Sequence, residues 1–410
     1  MPVERDETLE GIQQLLAHSM NTSMSVRTCQ WVERVRALAP AVEQWRDIGE
    51  QQRHMPQQLF EGLRAAGFFK MSVPAVFGGD ELDHVGTVRV IEELSRLDGS
   101  VGWNVMIATG NAIAAACLPR QAAEEIFGSN PSTVIAGSVR PFPGNTATPV
   151  DGGYRVSGRW TVASGCHQAD WMAGACFVIG SGGPRSSSDG APDVRIMFWP
   201  KSECEILDTW YTTGMRGTGS HDFQTSNAFV AEARCIVARA SVPNEPGVLS
   251  MRNAFARAAP LVAVGLGIAR AAIDSFVELA STKTPHAATT SLARQQTIQD
   301  RVGRAEALVR SARAYLYETV GESSPPGLAD TISEQVSAEV RLASAYAAQC
   351  AAEAVDLMFA AGGISAVYTT SRLDRCFRDV HMVTQHIQVA ASNIEMAGQY
   401  FLGQGLELRR

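Results

Sequence analysis

The sequence predicts an α+β fold that is mainly α: an N-terminal helical domain, a middle β domain of barrel or sandwich type, and a C-terminal helical bundle. Three observations predict it. Apolar residues recur at helical spacing over 26–131, give way to short alternating segments joined by Gly, Pro, Ser and Asp over 132–247, and return to helical spacing over 248–410. A chain of 410 residues is also too long for one ordinary core, so several domains are expected.

Composition narrows the function. A hydrophobic share of 45% and a charged share of 19% describe a well-buried globular chain. The net charge of -7, with no run of Lys or Arg, argues against nucleic-acid binding and leaves a small molecule or a protein as partner. Eight cysteines without a Cys-x-x-Cys pair predict reduced, buried thiols, neither a disulfide framework nor a metal site. The opening Met1-Pro-Val-Glu-Arg-Asp-Glu is acidic where a signal peptide is basic, and the longest apolar run, Ala258 to Ala269, is short of the roughly 20 residues that span a bilayer. The expectation is a cytoplasmic protein with no membrane segment.

Residues 1–25 carry little pattern and read as a flexible lead. Val32, Val35, Leu38 and Val42 share a stripe, and Pro56 opens a helix through Leu59, Leu63 and Ala66 that stops at Gly67. Two more helices are read over Val88 to Leu97 and Val101 to Cys117, after a turn at Phe77-Gly78-Gly79. Strands are expected at 133–139, 153–163, 171–179, 194–199, 203–208 and 222–230. In the last part, Ile298, Val302, Ala305, Leu308, Ala312 and Tyr315 form a stripe with Arg301, Arg304, Arg310 and Arg313 opposite. A break at Ser323 to Gly327 precedes an Ala-rich helix over about 332–361, built for close helix packing.

One stretch carries chemistry, Trp160 to Trp171. Its strand alternation stops at Ala163-Ser164-Gly165, where small residues leave room for a flat ligand and a free hydroxyl, with Trp160 and Trp171 as candidate walls. A packing role for the same residues is the plain alternative. Gly180-Ser181-Gly182-Gly183 follows a strand but lacks the apolar helix of a dinucleotide site, so it reads as a hairpin loop.

Five motifs, in this order and spacing, resemble the acyl-CoA dehydrogenase superfamily from about residue 30 to 405. They are Ser72-Val73-Pro74 with Phe77-Gly78-Gly79; Asp98 to Trp103; Trp160 to Trp171; Thr213 to Ser220; and Arg375 to His386. The wording is similar to the branch of two-component flavin-dependent monooxygenases, in its oxygenase component. The dehydrogenase base is missing from both of its positions: the stretch after Arg378-Asp379 reads Gln385-His386-Ile387-Gln388, and Pro246 to Arg270 contains no Asp or Glu.

The resemblance implies reduced flavin and O2 as co-substrates, a C4a-hydroperoxyflavin, and hydroxylation of an aromatic or heteroaromatic small molecule. It implies that Ser164 steadies the flavin N5 proton and that His386 faces the oxidant or the substrate hydroxyl, hydrogen-bonding the one or deprotonating the other. Flavin contacts are implied for Trp160, Ala163, Gly165, Ser138, Arg216, Thr218 and Ser220, and for Gly362 and Gly363. Trp103, Asn104, Met106 and His381 are candidates for the substrate wall, with His381 able to pair with Asp379 instead; His167 reads as a solvated loop residue. The ADP-binding groups of the FAD enzymes are not visible at Thr282 to His286 or before Gly362, so FMN is favoured over FAD. A separate NAD(P)H:flavin reductase and a homotetramer are implied as well. The alternatives are a flavin dehydrogenase acting on a non-CoA substrate with His386 as base, an N- or S-oxygenating enzyme, and a non-catalytic scaffold.

Overall fold

A computed structural model describes residues 25–186, 190–237, 258–286, 288–322 and 333–406. The expected lead before Ser25 and the break at Ser323 to Gly327 lie outside these residues.

The N-terminal part is helical: α1 (Val26–Ala37), α2 (Ala39–Gln52), α3 (Gln57–Ala65), α4 (His84–Leu97), α5 (Gly99–Ala115) and α6 (Arg120–Phe127). Local chemistry sets the ends. Ser25 caps α1 through Thr28 N–H, Asp83 caps α4 through Gly86 N–H, and Pro56 precedes α3, which stops before Gly67 in the left-handed region. Asp98 caps α5 by accepting the N–H of Val101 at 3.1 Å, which fixes the start of the helix that carries Trp103 and Asn104.

Among the described residues nine strands follow, in one mixed sheet: β1 (Ile135–Ser138), β2 (Thr146–Val150), β3 (Gly153–Ala163), β4 (Trp171–Gly180), β5 (Gly183–Pro184), β6 (Val194–Pro200), β7 (Glu205–Leu207), β8 (His221–Ala231) and β9 (Cys235–Val237). The order is β7-β8-β3-β2-β4-β6-β9, with β1 and β5 also paired to β4. Strands β2, β5 and β9 are additions to the sequence reading; β2 is short, with Thr148, Pro149 and Val150 exposed, and β5 is the return arm of the expected Gly180 to Gly183 hairpin. Both faces of β4 are covered. Met172 and Cys176 belong to the main core while Ala173 and Ala175 face a second cluster with Phe77, Phe127 and Ile135, the two-residue alternation of a strand buried on both sides.

The C-terminal bundle comprises α7 (Ala258–Thr282), α8 (Gln296–Glu322), α9 (Glu334–Gly362) and α10 (Arg372–Val383), followed by α11 (Ser392–Phe401). Helix α7 is long and apolar enough to cross a membrane by composition alone, which the shorter run noted in the sequence did not suggest; most of that surface is buried against α4, α9 and α10. Arg313 departs from the expected solvent face of α8. It turns inward to bond the buried carboxylate of Glu92 on α4 at 2.6 Å, where the Tyr317 hydroxyl also donates at 2.5 Å.

Candidate active site

The site is built where strand β3 breaks. The pairing of β3 with β8 slips between Trp160 and Ala163, and Val162 takes a left-handed φ of 61° while standing 54% exposed. This bulge re-aims the chain so that Ser164, 4% exposed, turns into the protein. Gly165 follows in the left-handed region and donates its N–H to Thr218 O at 2.9 Å, which locks the turn to the 213–220 loop.

Four side chains then form a line. Trp103 Nε1 donates to Ser164 Oγ at 3.0 Å; Ser164 Oγ lies 2.7 Å from Ser220 Oγ, and Ser220 Oγ 2.7 Å from Thr218 Oγ1, which bonds Met215 O at 2.7 Å. The ends set the direction of every proton. A carbonyl only accepts, so Thr218 donates to Met215 O; its single proton is then used, so Ser220 donates to Thr218 and Ser164 donates to Ser220. An indole N–H only donates, which agrees with Ser164 accepting from Trp103. Ser164 therefore has no proton left to give and one lone pair left to take one.

His386 stands next to this line, its ring in edge contact with Trp103 at 5.9 Å between centroids. Its Nδ1 accepts the N–H of Gln388 at 3.3 Å, capping the one-turn helix Ile387–Val389, so the ring proton sits on Nε2. Burial pushes its pKa down to about 4. The imidazole is thus neutral and offers an N–H donor. Of the two roles expected for it, hydrogen bonding fits this tautomer, and deprotonation of a substrate does not.

The structure brings Ser164, Gly165, Thr218, Ser220, Trp103, Asn104 and His386 together. Asn104 donates to Gly217 O at 3.3 Å, while its buried Oδ1 faces Gly165 with no hydrogen-bond partner among the described residues. Other expected contacts lie elsewhere. Trp160 is fully buried, stacked on Phe223 at 5.1 Å with its N–H on Ala175 O at 2.9 Å, so it is a core residue and walls no open cleft. Trp171 sits under Arg234 beside the second core cluster. Ala163 is buried in register with His221. Arg216 is tied to Glu50 O at 3.1 Å and Thr212 O at 3.2 Å, which leaves it little freedom to meet a phosphate. Ser138 ends β1 opposite Gly174. Gly362 and Gly363 end α9, where Lys283 Nζ donates to Gly362 O at 3.1 Å. Met106 is buried in the main core, and His381 pairs with Asp356 at 2.9 Å and not with Asp379.

Two features were missed by reading residues in order. His167 is no solvated loop residue: it stacks on His54 at 4.6 Å and meets His221 edge-on at 4.9 Å, and burial followed by the neighbouring His54, His221 and Lys201 pushes its pKa down to about 4. Cys166 beside it is fully buried, bonded to Gly219 O at 3.4 Å, and its thiol is pushed up to about 12 by burial. The second is Asp379, whose carboxylate accepts the N–H of Met215 at 2.5 Å. The Arg378-Asp379 pair in the sequence was its only signal.

A helical layer, a mixed sheet and a long-helix bundle around a hydroxyl-lined turn make up an acyl-CoA dehydrogenase fold. The chain matches the acyl-CoA dehydrogenase N-terminal domain over 30–126 and the acyl-CoA dehydrogenase C-terminal domain over 259–391. It is 35% identical to an indole-3-acetate monooxygenase of Pseudomonas putida over 373 residues, 90% of this chain and 93% of that protein. It is 29% identical to the flavin-dependent monooxygenase oxygenase subunit HsaA of Mycobacterium tuberculosis, over 92% of this chain and 95% of that one. The crystal structure of the HsaA monooxygenase from that organism superposes with a TM-score of 0.82 at 25% identity, covering 92% of this chain and 97% of that one. XiaF from Streptomyces, solved with FADH2 and glycerol, superposes with a TM-score of 0.83 at 23% identity, over 93% and 97% of the two chains. The chain belongs to the acyl-CoA dehydrogenase family, in its branch of flavin-dependent monooxygenase oxygenase components.

Proposed function

We propose that this oxygenase hydroxylates an aromatic or heteroaromatic small molecule at the Ser164 turn, beside Trp103 and His386, where a small cleft is lined by Met55, Phe60, Asn104, Ser164 and Gly165, using reduced flavin made by a separate reductase. The single observation that carries the placement is the directed hydrogen-bond line that leaves Ser164 an acceptor. Reduced flavin has an N–H on its central ring and, when bound, supplies the electrons that activate O2. Ser164 would accept that N–H and hold its proton, with Gly165 giving the ring a flat backbone to lie on. Asn104 Oδ1, buried and unpartnered among the described residues, is a further acceptor beside the same turn. His386 would donate its Nε2 proton towards the oxygen being transferred or towards the substrate.

An indole ring is the first substrate to test, because the indole-3-acetate monooxygenase shares about a third of its residues with this chain. FMN and FAD both remain candidates, since solved relatives carry each. The three-part domain division at about 131 and 247, a cytoplasmic location and a homotetramer belong to the same reading. Exposed Ile364, Val367 and Tyr368 after α9, and Phe401 and Leu402 at the end of α11, support an assembly through the C-terminal part.

The test is to mix the protein with enzymatically or photochemically reduced FMN or FAD, oxygen and indole-3-acetate or a panel of phenols, and to measure hydroxylated product against hydrogen peroxide. Product that depends on the protein and on one of the aromatics supports the reading. Peroxide as the only product with every aromatic, from protein shown to bind reduced flavin, would count against it.

A further inference from the structure

We propose that Asp379 is a positioning residue for this site: from α10 it holds the turn at Met215, and through that turn it sets the direction in which the Thr218, Ser220 and Ser164 hydroxyls point. The inference rests on the reading above only in its consequence for catalysis; the geometry belongs to the protein alone.

Asp379 is 2% exposed and its Oδ1 is 2.5 Å from the backbone nitrogen of Met215, 164 residues earlier in the chain. Met215 is itself buried and holds a left-handed φ of 51°, a conformation that a side chain other than glycine adopts at a cost. The approach of this loop to α10 is close enough to require Gly214, where a Cβ would stand 2.3 Å from Arg378 O. The Asp379 carboxylate is therefore the partner that offsets the strain at Met215. With its N–H held and its φ and ψ at 51° and 32°, Met215 also has its carbonyl set in direction. Met215 O receives Thr218 Oγ1 at 2.7 Å and the indole N–H of Trp210 at 3.0 Å, so it is the acceptor that anchors the whole line of hydroxyls. Rotate that carbonyl, and Thr218 is free to turn its proton towards Ser220; the line then reverses and Ser164 is left with a proton pointing into the cleft.

The groups that face Asp379 explain why it can be tuned. Burial raises its proton affinity most, Asp98 from the start of α5 and Glu50 from α2 raise it further, and the Met215 N–H and Arg375 on its own helix lower it, so the carboxyl is pushed up to about 7. A cavity of about 50 Å³, lined by Arg46, Asp98, Arg372, Arg375 and Asp379, leaves room for water beside the carboxyl. The ionised form is the stronger acceptor for Met215 N–H, so the hold on the turn tightens as the pH rises through neutrality.

The experiment uses the flavin-free protein first. Amide hydrogen exchange across residues 213–220, corrected for intrinsic base catalysis, and the indole N–H resonance of Trp103, assigned with Trp103→Phe, are followed from pH 6 to pH 8.5 in wild type and in Asp379→Asn. The expected result is a Met215 amide that exchanges roughly tenfold faster in Asp379→Asn, and a Trp103 resonance that titrates near neutrality in wild type and is flat in the variant. With reduced flavin, oxygen and substrate, Asp379→Asn should lower the ratio of hydroxylated product to peroxide severalfold with substrate KM within about twofold. Wild-type exchange, a Trp103 resonance that does not titrate and an unchanged product ratio in Asp379→Asn would overturn the proposal. The wild-type titration needs no variant, so it decides the matter even if the substitution prevents folding. Absence of product from wild type would instead count against the proposed function and leave the exchange result standing.

Discussion

The indole N–H of Trp103 donates to the hydroxyl oxygen of Ser164 at 3.0 Å, joining helix α5 to the broken end of β3 across 61 residues of sequence. Because the donor cannot reverse, this bond holds Ser164 in the accepting state from one side while Met215 O holds the line from the other. The site is a set of hydroxyls with their protons already assigned.

Ser220→Ala removes the middle of the line and frees the Ser164 proton to turn into the cleft. The expected outcome is about a tenfold fall in the ratio of hydroxylated product to peroxide, with reduced-flavin affinity changed less, and a loss of about 1 kcal/mol in stability for the broken hydrogen bonds. Product and peroxide assays beside a thermal melt check both halves. Ser164→Ala should give at least as large a fall in the ratio and weaken reduced-flavin binding as well, since the acceptor itself is gone.

Trp103→Phe keeps an aromatic ring against His386 but deletes the N–H. Ser164 then loses its only donor in the line, and the product ratio is expected to drop about threefold to tenfold at nearly unchanged substrate KM. A raised KM with an unchanged product ratio would show that Trp103 is substrate wall alone.

His386 predicts a pH dependence by its absence. Its folded pKa of about 4 lies below the ordinary 6.5, so the ring stays neutral above about pH 5 and turnover between pH 6 and pH 9 should show no step from this residue. Since the unfolded chain binds the proton more readily between those values, His386 also weakens the fold as the pH falls from 6.5 through 4. His386→Gln retains a donor and should keep more activity than His386→Ala; equal losses would argue against the donor role.

Glu92 has the opposite sign. Burial raises its pKa from 4.5 to about 7, so its contribution to stability is full below 4.5 and is lost as the pH rises through 7. Denaturation at pH 5 and pH 8 should show Glu92→Gln gaining on wild type at the higher pH. Arg313→Met, which leaves Glu92 buried with the Tyr317 hydroxyl and the nearby charges of Arg89 and Arg96, should cost about 3 kcal/mol at pH 8.

Val162→Gly tests the bulge. The valine is exposed and left-handed, so glycine should raise stability by about 1 kcal/mol through relief of strain. If the same variant loses product ratio, the stiffness of Val162 serves to aim Ser164.

Helix stripes and strand alternation made the three-part fold legible, because burial on one face imposes a local period that survives in the residue order. Ser164, Trp103 and His386 were legible as motif positions. The partners of Trp160 and His381 were not legible, because a residue type does not reveal which neighbour satisfies it: Phe223 and Ala175 O occupy the one, Asp356 the other. The proton direction along Ser164, Ser220 and Thr218 and the Asp379 to Met215 bond were invisible, since each depends on contacts between parts of the chain that no local pattern brings together. The tautomer of His386 likewise depends on a backbone N–H two residues on, which only its φ and ψ angles present to the ring.

Cys166 adds a consequence for the lifetime of the catalyst. An enzyme that activates oxygen leaks some peroxide at each imperfect cycle, and Cys166 places an oxidisable sulfur two residues from Ser164. Oxidation by peroxide proceeds through the thiolate, and a buried thiol with a pKa near 12 keeps almost none of it at neutral pH. The packing that hides Cys166 behind Gly219 thus protects the turn against self-inflicted damage, and the protein should outlast many futile turnovers before its own chemistry disables it.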